Sequence, residues 1–226
     1  MQVKGAGGLK MITAKSIEKE QDQDIRSRWF KDHQIISHDL FGYARGKTPI
    51  EVLVWGKPGT SACRVTYVSR AGTLMVSGDL GEAVFCWNPS GGCSSLRWIA
   101  GTSLDYFHGK AAASPQGSGI AWVSFDSALA KAEIQEHVRS NMQDDPHYYS
   151  PKKNAGARES LHDLLEAMCC ANQAEFCGYL NDNHDEVTLA VNDTDWWEWL
   201  PNVGTHMPMR CQAYLIGLKM AFNLQK

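Results

Sequence analysis

The chain has no apolar run near the roughly 20 residues that a membrane-spanning helix requires. Its opening stretch, MQVKGAGGLKMITAKS, carries lysines but no apolar h-region, so no secretory leader is expected. No excess of positive charge is present: the formal net charge is -3, which gives no overall pull toward a nucleic-acid backbone. The chain also lacks C-x-x-C spacing. Its seven cysteines, Cys63, Cys86, Cys93, Cys169, Cys170, Cys177 and Cys211, are odd in number, which predicts reduced thiols and a cytoplasmic setting. Signatures of catalysis are missing too, with no G-x-S-x-G, no H-E-x-x-H, no kinase set and no phosphate-loop spacing.

What is present is an ordinary globular composition, 43% hydrophobic and 21% charged, enough to bury a core over 226 residues. Residues 1–13 read as a flexible glycine-bearing arm, and 14–226 as one α+β domain with a joint at 143–157, where QDDPHYYSPKKNAGA has two prolines and no period. Residues 14–33 are charged, with Ile17, Ile25 and Trp29 at helical spacing. That predicts a solvated helix with one narrow docking stripe.

From Ile50 to Trp87 the pattern alternates. Strands are predicted at Ile50–Trp55, Cys63–Arg70, Thr73–Ser77 and Glu82–Trp87, joined by short turns at Lys57–Thr60, Arg70–Gly72 and Gly78–Gly81. Short connections make successive strands antiparallel neighbours. The fold class is therefore α+β: a four-stranded antiparallel meander in the N-terminal half, packed with several amphipathic helices. Those helices are expected from Leu96 to Phe107, capped by Ser94 or Ser95, and along Ala130, Ile134, Val138 and Met142 after an Asp126 cap. Two more are expected at Leu161–Met168 after a Ser160 cap with Asp163 completing the box, and along Cys211, Tyr214, Leu215, Leu218 and Phe222. Leu104 and Leu165, mid-stripe, are expected to be buried. Val187–Val191 reads as a short strand or edge segment.

No residue emerges as catalytic, and the eight histidines form no metal pattern. Cys93 with His108 is the one nucleophile pair to consider. No cofactor is implied. Two binding candidates stand out. At the sheet end, Gly78-Asp79-Leu80-Gly81 sets Asp79 between two glycines, either as a turn-capping carboxylate or as a ligand contact, and Arg64 projects from the neighbouring strand. Near the C-terminus, Trp196-Trp197-Glu198-Trp199 places three tryptophans where they cannot all face one core. Some are expected to pack on the final helix, and the segment reads either as lid or core residues or as a recognition surface, where tryptophan is favoured as an anchor. Its acids, Asp193, Asp195 and Glu198, disfavour nucleic acid.

The segments GTLMVSGDLGEAVFCW, LRWIAGTSLDYFHGK and DTDWWEWLPNVG with MRCQAYLIGLKMA resemble a group of accessory proteins from tailed phages and prophages. The resemblance covers residues 50–110 and 193–222. That group shares a strand, a G-D-x-G turn, a strand ending in an aromatic and then a helix. The resemblance carries no activity and no catalytic residue. It implies a context, action in the bacterial host cytoplasm by binding a host protein or complex, as an anti-CRISPR or similar anti-defence inhibitor would. Two other readings compete. One is a protein that sequesters a small nucleotide ligand with Arg64, Asp79 and an aromatic wall at Trp55 or Trp87. The other is an enzyme without a familiar motif.

With net charge -3 and no basic helix, the phosphate-neutralising contribution to DNA binding should be small. The protein is expected not to bind random duplex DNA tightly at near-physiological salt. Sub-micromolar, salt-sensitive binding in an anisotropy titration would contradict this.

Overall fold

A computed structural model describes residues 12–42, 48–87, 95–113, 122–144, 147–149, 154–169 and 172–224. The chain divides into two compact units. One comprises Glu18–Ser124 with Met207–Lys226; the other comprises Phe125–His206 with the chain up to Ile17. The stretch 143–157 lies inside the second of these.

The first unit is built on an antiparallel sheet in strict meander order. Its strands are β1 (Gln34–Phe41), β2 (Ile50–Gly56), β3 (Val65–Arg70), β4 (Thr73–Gly78), β5 (Ala83–Cys86) and β6 (Ala111–Ala113). The sheet thus has six strands rather than the expected four. β2 to β5 alternate with period two, so Leu53, Trp55, Val65, Tyr67, Leu74, Val76, Ala83 and Phe85 line one buried face. β1 escaped the pattern because Ile36 is an extra residue. Ile35 pairs with Trp55 and Ser37 with Val54, a bulge that breaks the alternation. β6 is three alanines and carries no periodic signal.

Helices cover the buried face. Helix α1 (Ala14–Asp24) runs into a five-residue π turn, Ile25–Trp29, closed by the Phe30 N–H donating to the Ile25 carbonyl at 2.8 Å. The wide turn brings both Ile25 and Phe30 into the core. The single helix expected over 96–107 is two, α2 (Leu96–Ala100) and α3 (Leu104–His108). Each has its own serine cap. Ser95 accepts from the Trp98 N–H at 3.2 Å and Ser103 from the Tyr106 N–H at 3.3 Å. The second cap ends the first helix, and Leu104 is left half-buried.

Helix α8 (Met209–Ala221) fills the centre of this unit. It was expected to bury one face, yet Cys211 through Leu218 are all buried. It packs on β2, α2, α3 and the π turn. Two hydroxyls fix it. Tyr67 donates to the Tyr214 carbonyl at 2.9 Å, and Tyr214 donates to the Leu80 carbonyl at 3.0 Å. Burial pushes the Tyr214 phenol up to about 12. Glu51, buried beneath the sheet, accepts from the Leu96 N–H at the start of α2 and from His38 Nε2 on β1, both at 2.8 Å.

The second unit is helical. It comprises α4 (Ser127–Asp144), α5 (Ala155–Ala167), α6 (Gln173–Asp182), α7 (His184–Val191) and 3₁₀ turns at Trp196–Glu198 and Leu200–Asn202. A short ladder pairs β7 (Ser124–Phe125) with β8 (Thr205–His206). Asp126 caps α4 by accepting from the Leu129 N–H at 2.8 Å, as expected. Ala130, Ile134 and Val138 are buried, whereas Met142 is exposed. α5 starts earlier than expected, because Asn154, not Ser160, accepts from the Ala157 N–H. Leu164 and Met168 are buried, and Leu161 and Leu165 only partly so. Residues 187–191 are helix rather than strand. Val187, Ala190 and Val191 fall at i, i+3 and i+4 and bury together, and Asn192 ends the helix in the left-handed region at φ 54°.

Gly217 is the point of closest approach between α8 and the sheet. A Cβ there would press on the Tyr67 hydroxyl, with Phe30 and Trp55 carbons at 3.3 and 3.4 Å. Gly217→Ala is expected to destabilise by about 1–3 kcal/mol through overpacking. Adding Tyr67→Phe should recover part of that loss, read from urea unfolding of the single and double variants. Additive losses would show that the hydroxyl is not the obstacle.

Candidate recognition surfaces

The two sets of binding candidates lie on different units. At the sheet end, Arg64 precedes β3 and Asp79 follows β4. The Asp79 N–H donates to the Arg64 carbonyl at 3.0 Å, and the Gly81 N–H closes the turn on the Gly78 carbonyl at 3.0 Å. Gly78 sits at φ 134° with its missing Cβ directed at the Arg64 carbonyl, so only glycine fits. Leu80 points inward and its carbonyl is held by Tyr214. The backbone therefore makes this turn, and the Asp79 carboxylate is left exposed.

Arg64 shares the outer sheet face with Thr66 and Val68. Its Nη2 donates to the Thr60 carbonyl at 3.0 Å, while Nε is buried without a hydrogen-bond partner. The stem lies flat over Gly56, where any side chain would meet it. Lys57, in the same loop, donates to Asp32 at 2.8 Å and holds that exposed carboxyl below its usual range. The guanidinium and ammonium thus tie loops together instead of converging on one point.

The aromatic wall proposed from sequence is not there. Trp55 is 4% exposed and Trp87 6%, both core residues of the sheet. The nucleophile pair fares no better as a visible arrangement. His108 Nε2 is 2.6 Å from the Trp122 carbonyl, and Cys93 lies outside the described residues. The five described cysteines are all free thiols. Burial pushes the Cys211 thiol well up. Among the described residues no three His, Cys, Asp or Glu side chains gather as a metal site, and no helix is long and apolar enough to cross a membrane.

The tryptophan segment is better organised. Asp193 sits just after the α7 cap and holds the loop with both oxygens. Oδ1 accepts from the Asp195 N–H at 2.8 Å and Oδ2 from Trp199 Nε1 at 2.9 Å. Trp199 stacks on His137 of α4, with ring centroids 4.0 Å apart and planes inclined by 29°. Trp196 is buried and donates to Thr188 Oγ1 on α7 at 2.9 Å. It thus belongs to the core of the helical unit. Only Trp197 turns outward, 58% exposed, with Asp195 and Glu198 exposed beside it. Of the three acids read as a negative patch, Asp193 is therefore committed to holding the loop.

Two surfaces had no sequence signal strong enough to single out. One is β1, whose apolar residues are hidden in an irregular run. The other is the pair Trp98 and Tyr106, exposed on α2 and α3 with edge-to-face rings 6.5 Å apart and Lys110 4.9 Å over Tyr106.

No protein family, curated protein or solved structure matches the chain.

His33 lies between Phe30 and Trp55, with ring centroids 4.9 and 6.0 Å away, and its Nε2 donates to the Cys63 carbonyl at 3.1 Å. Burial disfavours the imidazolium more than that carbonyl favours it, so the folded value lies below the ordinary 6.5. The unfolded chain then binds more protons than the folded one between the two values. Stability from this site is complete above 6.5 and falls as pH drops through that window. His33→Gln should flatten the loss of stability on acidification in urea unfolding series run on either side of the window. An unchanged pH slope would show that His33 is not its source.

Proposed function

We propose that the protein acts by stoichiometric binding, as a phage-encoded inhibitor of a host defence system in the bacterial cytoplasm. The observation that carries this reading is the mounting of Trp197. Its two neighbours are fixed, Trp196 through Thr188 and Trp199 through Asp193 and His137, so the exposed ring is presented on an ordered base. A pre-positioned aromatic loses little freedom on binding, which is what makes tryptophan an effective interface anchor. Asp195 and Glu198 beside it favour a partner with a basic rim around an apolar pocket. Such a rim is found where a protein holds a nucleic-acid backbone, and the nucleic-acid-guided complexes of bacterial defence carry surfaces of this kind. The resemblance of residues 50–110 and 193–222 to phage accessory proteins points the same way.

The test is expression of the protein in bacterial strains that each carry one defence system, scored by plating a phage that the system restricts. Relief of restriction by one system identifies the target, and titration of the purified pair should saturate near equimolar. Trp197→Ala is expected to weaken that binding by about 2 kcal/mol, roughly thirtyfold. Thermal unfolding should be unchanged, because the side chain is mostly exposed. Relief at a small substoichiometric ratio with turnover would make the protein an enzyme. Full binding by Trp197→Ala would move the contact elsewhere.

A further inference from the structure

β1 is the first strand of the sheet, and among the described residues no strand pairs with its free side. All of its residues but one are exposed. Four of them are large and apolar: Ile35, Ile36, Leu40 and Phe41, the last two 56% and 53% exposed. Edges of this kind are commonly blunted with lysine, proline or a covering segment. Gln34–Phe41 contains neither lysine nor proline. Asp39 is its one acidic residue, and His38 is held inward by Glu51 at 2.8 Å.

The order of residue types along this edge is symmetric. From Ile35 to Phe41 it runs apolar, apolar, polar, His38, polar, apolar, apolar. The pairing with β2 assigns faces. Ile35, His38 and Leu40 oppose Trp55, Leu53 and Glu51 on the helix-covered side; Ser37, Asp39 and Phe41 oppose Val54, Val52 and Ile50 on the outer side. Ile36 is the bulged residue, lying against Gly56 on the outer side.

We propose that the protein self-associates as a symmetric dimer through the free edge of β1, two copies of the strand pairing antiparallel about His38. In this register Ser37 lies opposite the second copy's Asp39, where a hydroxyl meets a carboxylate. Leu40 lies opposite its Ile35, and Phe41 lies beside its Gln34 and bulged Ile36. Each apolar side chain meets apolar surface, and the two Asp39 carboxylates stay diagonal. An axis at Asp39 would set the two carboxylates face to face, which cross-strand pairs disfavour. An axis at Leu40 would set Asp39 against Phe41. Of these three registers, the one about His38 satisfies both polarity and charge. A symmetric pairing uses the same patch on both copies and closes on itself, so the edge is consumed and a filament is not extended. This conclusion is independent of the inhibitor reading, because it uses neither Trp197 nor any target.

Sedimentation equilibrium of the full chain over a concentration series tests it. The wild type should show reversible monomer and dimer. Leu40→Lys should stay monomeric at concentrations where the wild type is dimeric. Ser37→Asp, which places like charges opposite each other twice per interface, should raise the dimer Kd by about tenfold, whereas Ser37→Lys should not. Because these positions are on the sheet's rim, circular dichroism should match the wild type for all three; a variant that fails this check is set aside, and the contrast between the two Ser37 variants decides. A wild type that is monomeric throughout, or a dimer equally strong in Ser37→Asp and Ser37→Lys, overturns the proposal.

Discussion

The sheet unit depends on one helix being almost wholly removed from water. α8 sits against β2, α2, α3 and the π turn, and its backbone is locked to the sheet by two tyrosine hydroxyls. Those bonds exchange a strand side chain for a helix carbonyl and a helix side chain for a turn carbonyl. Neither partner can shift without stranding the other in an apolar interior, where an unmade hydrogen bond is costly. The G-D-L-G turn is therefore shaped from beneath. Leu80 is held by Tyr214, Gly78 by the closeness of Arg64, and Asp79 is exposed as a result of that packing.

The helical unit solves a different problem. Its core comes from short helices, so the ends of the helices carry much of the specification. Asp126, Asn154 and Asn172 each accept a backbone N–H at a helix start, and Asn192 closes α7 in the left-handed region. The tryptophan segment continues this logic. A carboxylate at Asp193 satisfies a backbone amide and an indole together, turning a run of aromatics into two anchors and one projecting ring.

The parts of the fold legible in the sequence are those where one physical period dominates. β2 to β5 alternate because one face of each is buried, and short turns leave antiparallel neighbours as the only arrangement. β1 was hidden by its bulge, β6 by being alanine alone, and the break between α2 and α3 by an apolar spacing that runs through a serine cap. At 187–191, β-branched residues suggested a strand, but the i, i+3, i+4 burial against α5 decided otherwise. Sequence placed Arg64 and Asp79 side by side at the sheet end correctly. It could not tell which of three adjacent tryptophans faces solvent, because that is set by Thr188, Asp193 and His137, which lie on three separate parts of the chain. Trp55 and Trp87 were misassigned to a ligand wall for the same reason: the inward face of a strand is known only once something covers it.

The two units are not consecutive along the chain. The helical residues Phe125–His206 are interposed between the meander and α8. During synthesis, the meander leaves the ribosome well before α8, and the part of its core that α8 fills stays open until that helix follows. At elongation rates of about 5–20 residues per second, that delay is on the order of ten seconds. The helical unit, whose residues from 125 on are contiguous, needs no such wait. The sheet unit's core is thus completed by the last helix made, and the open interval is when the nascent chain exposes most of its apolar surface.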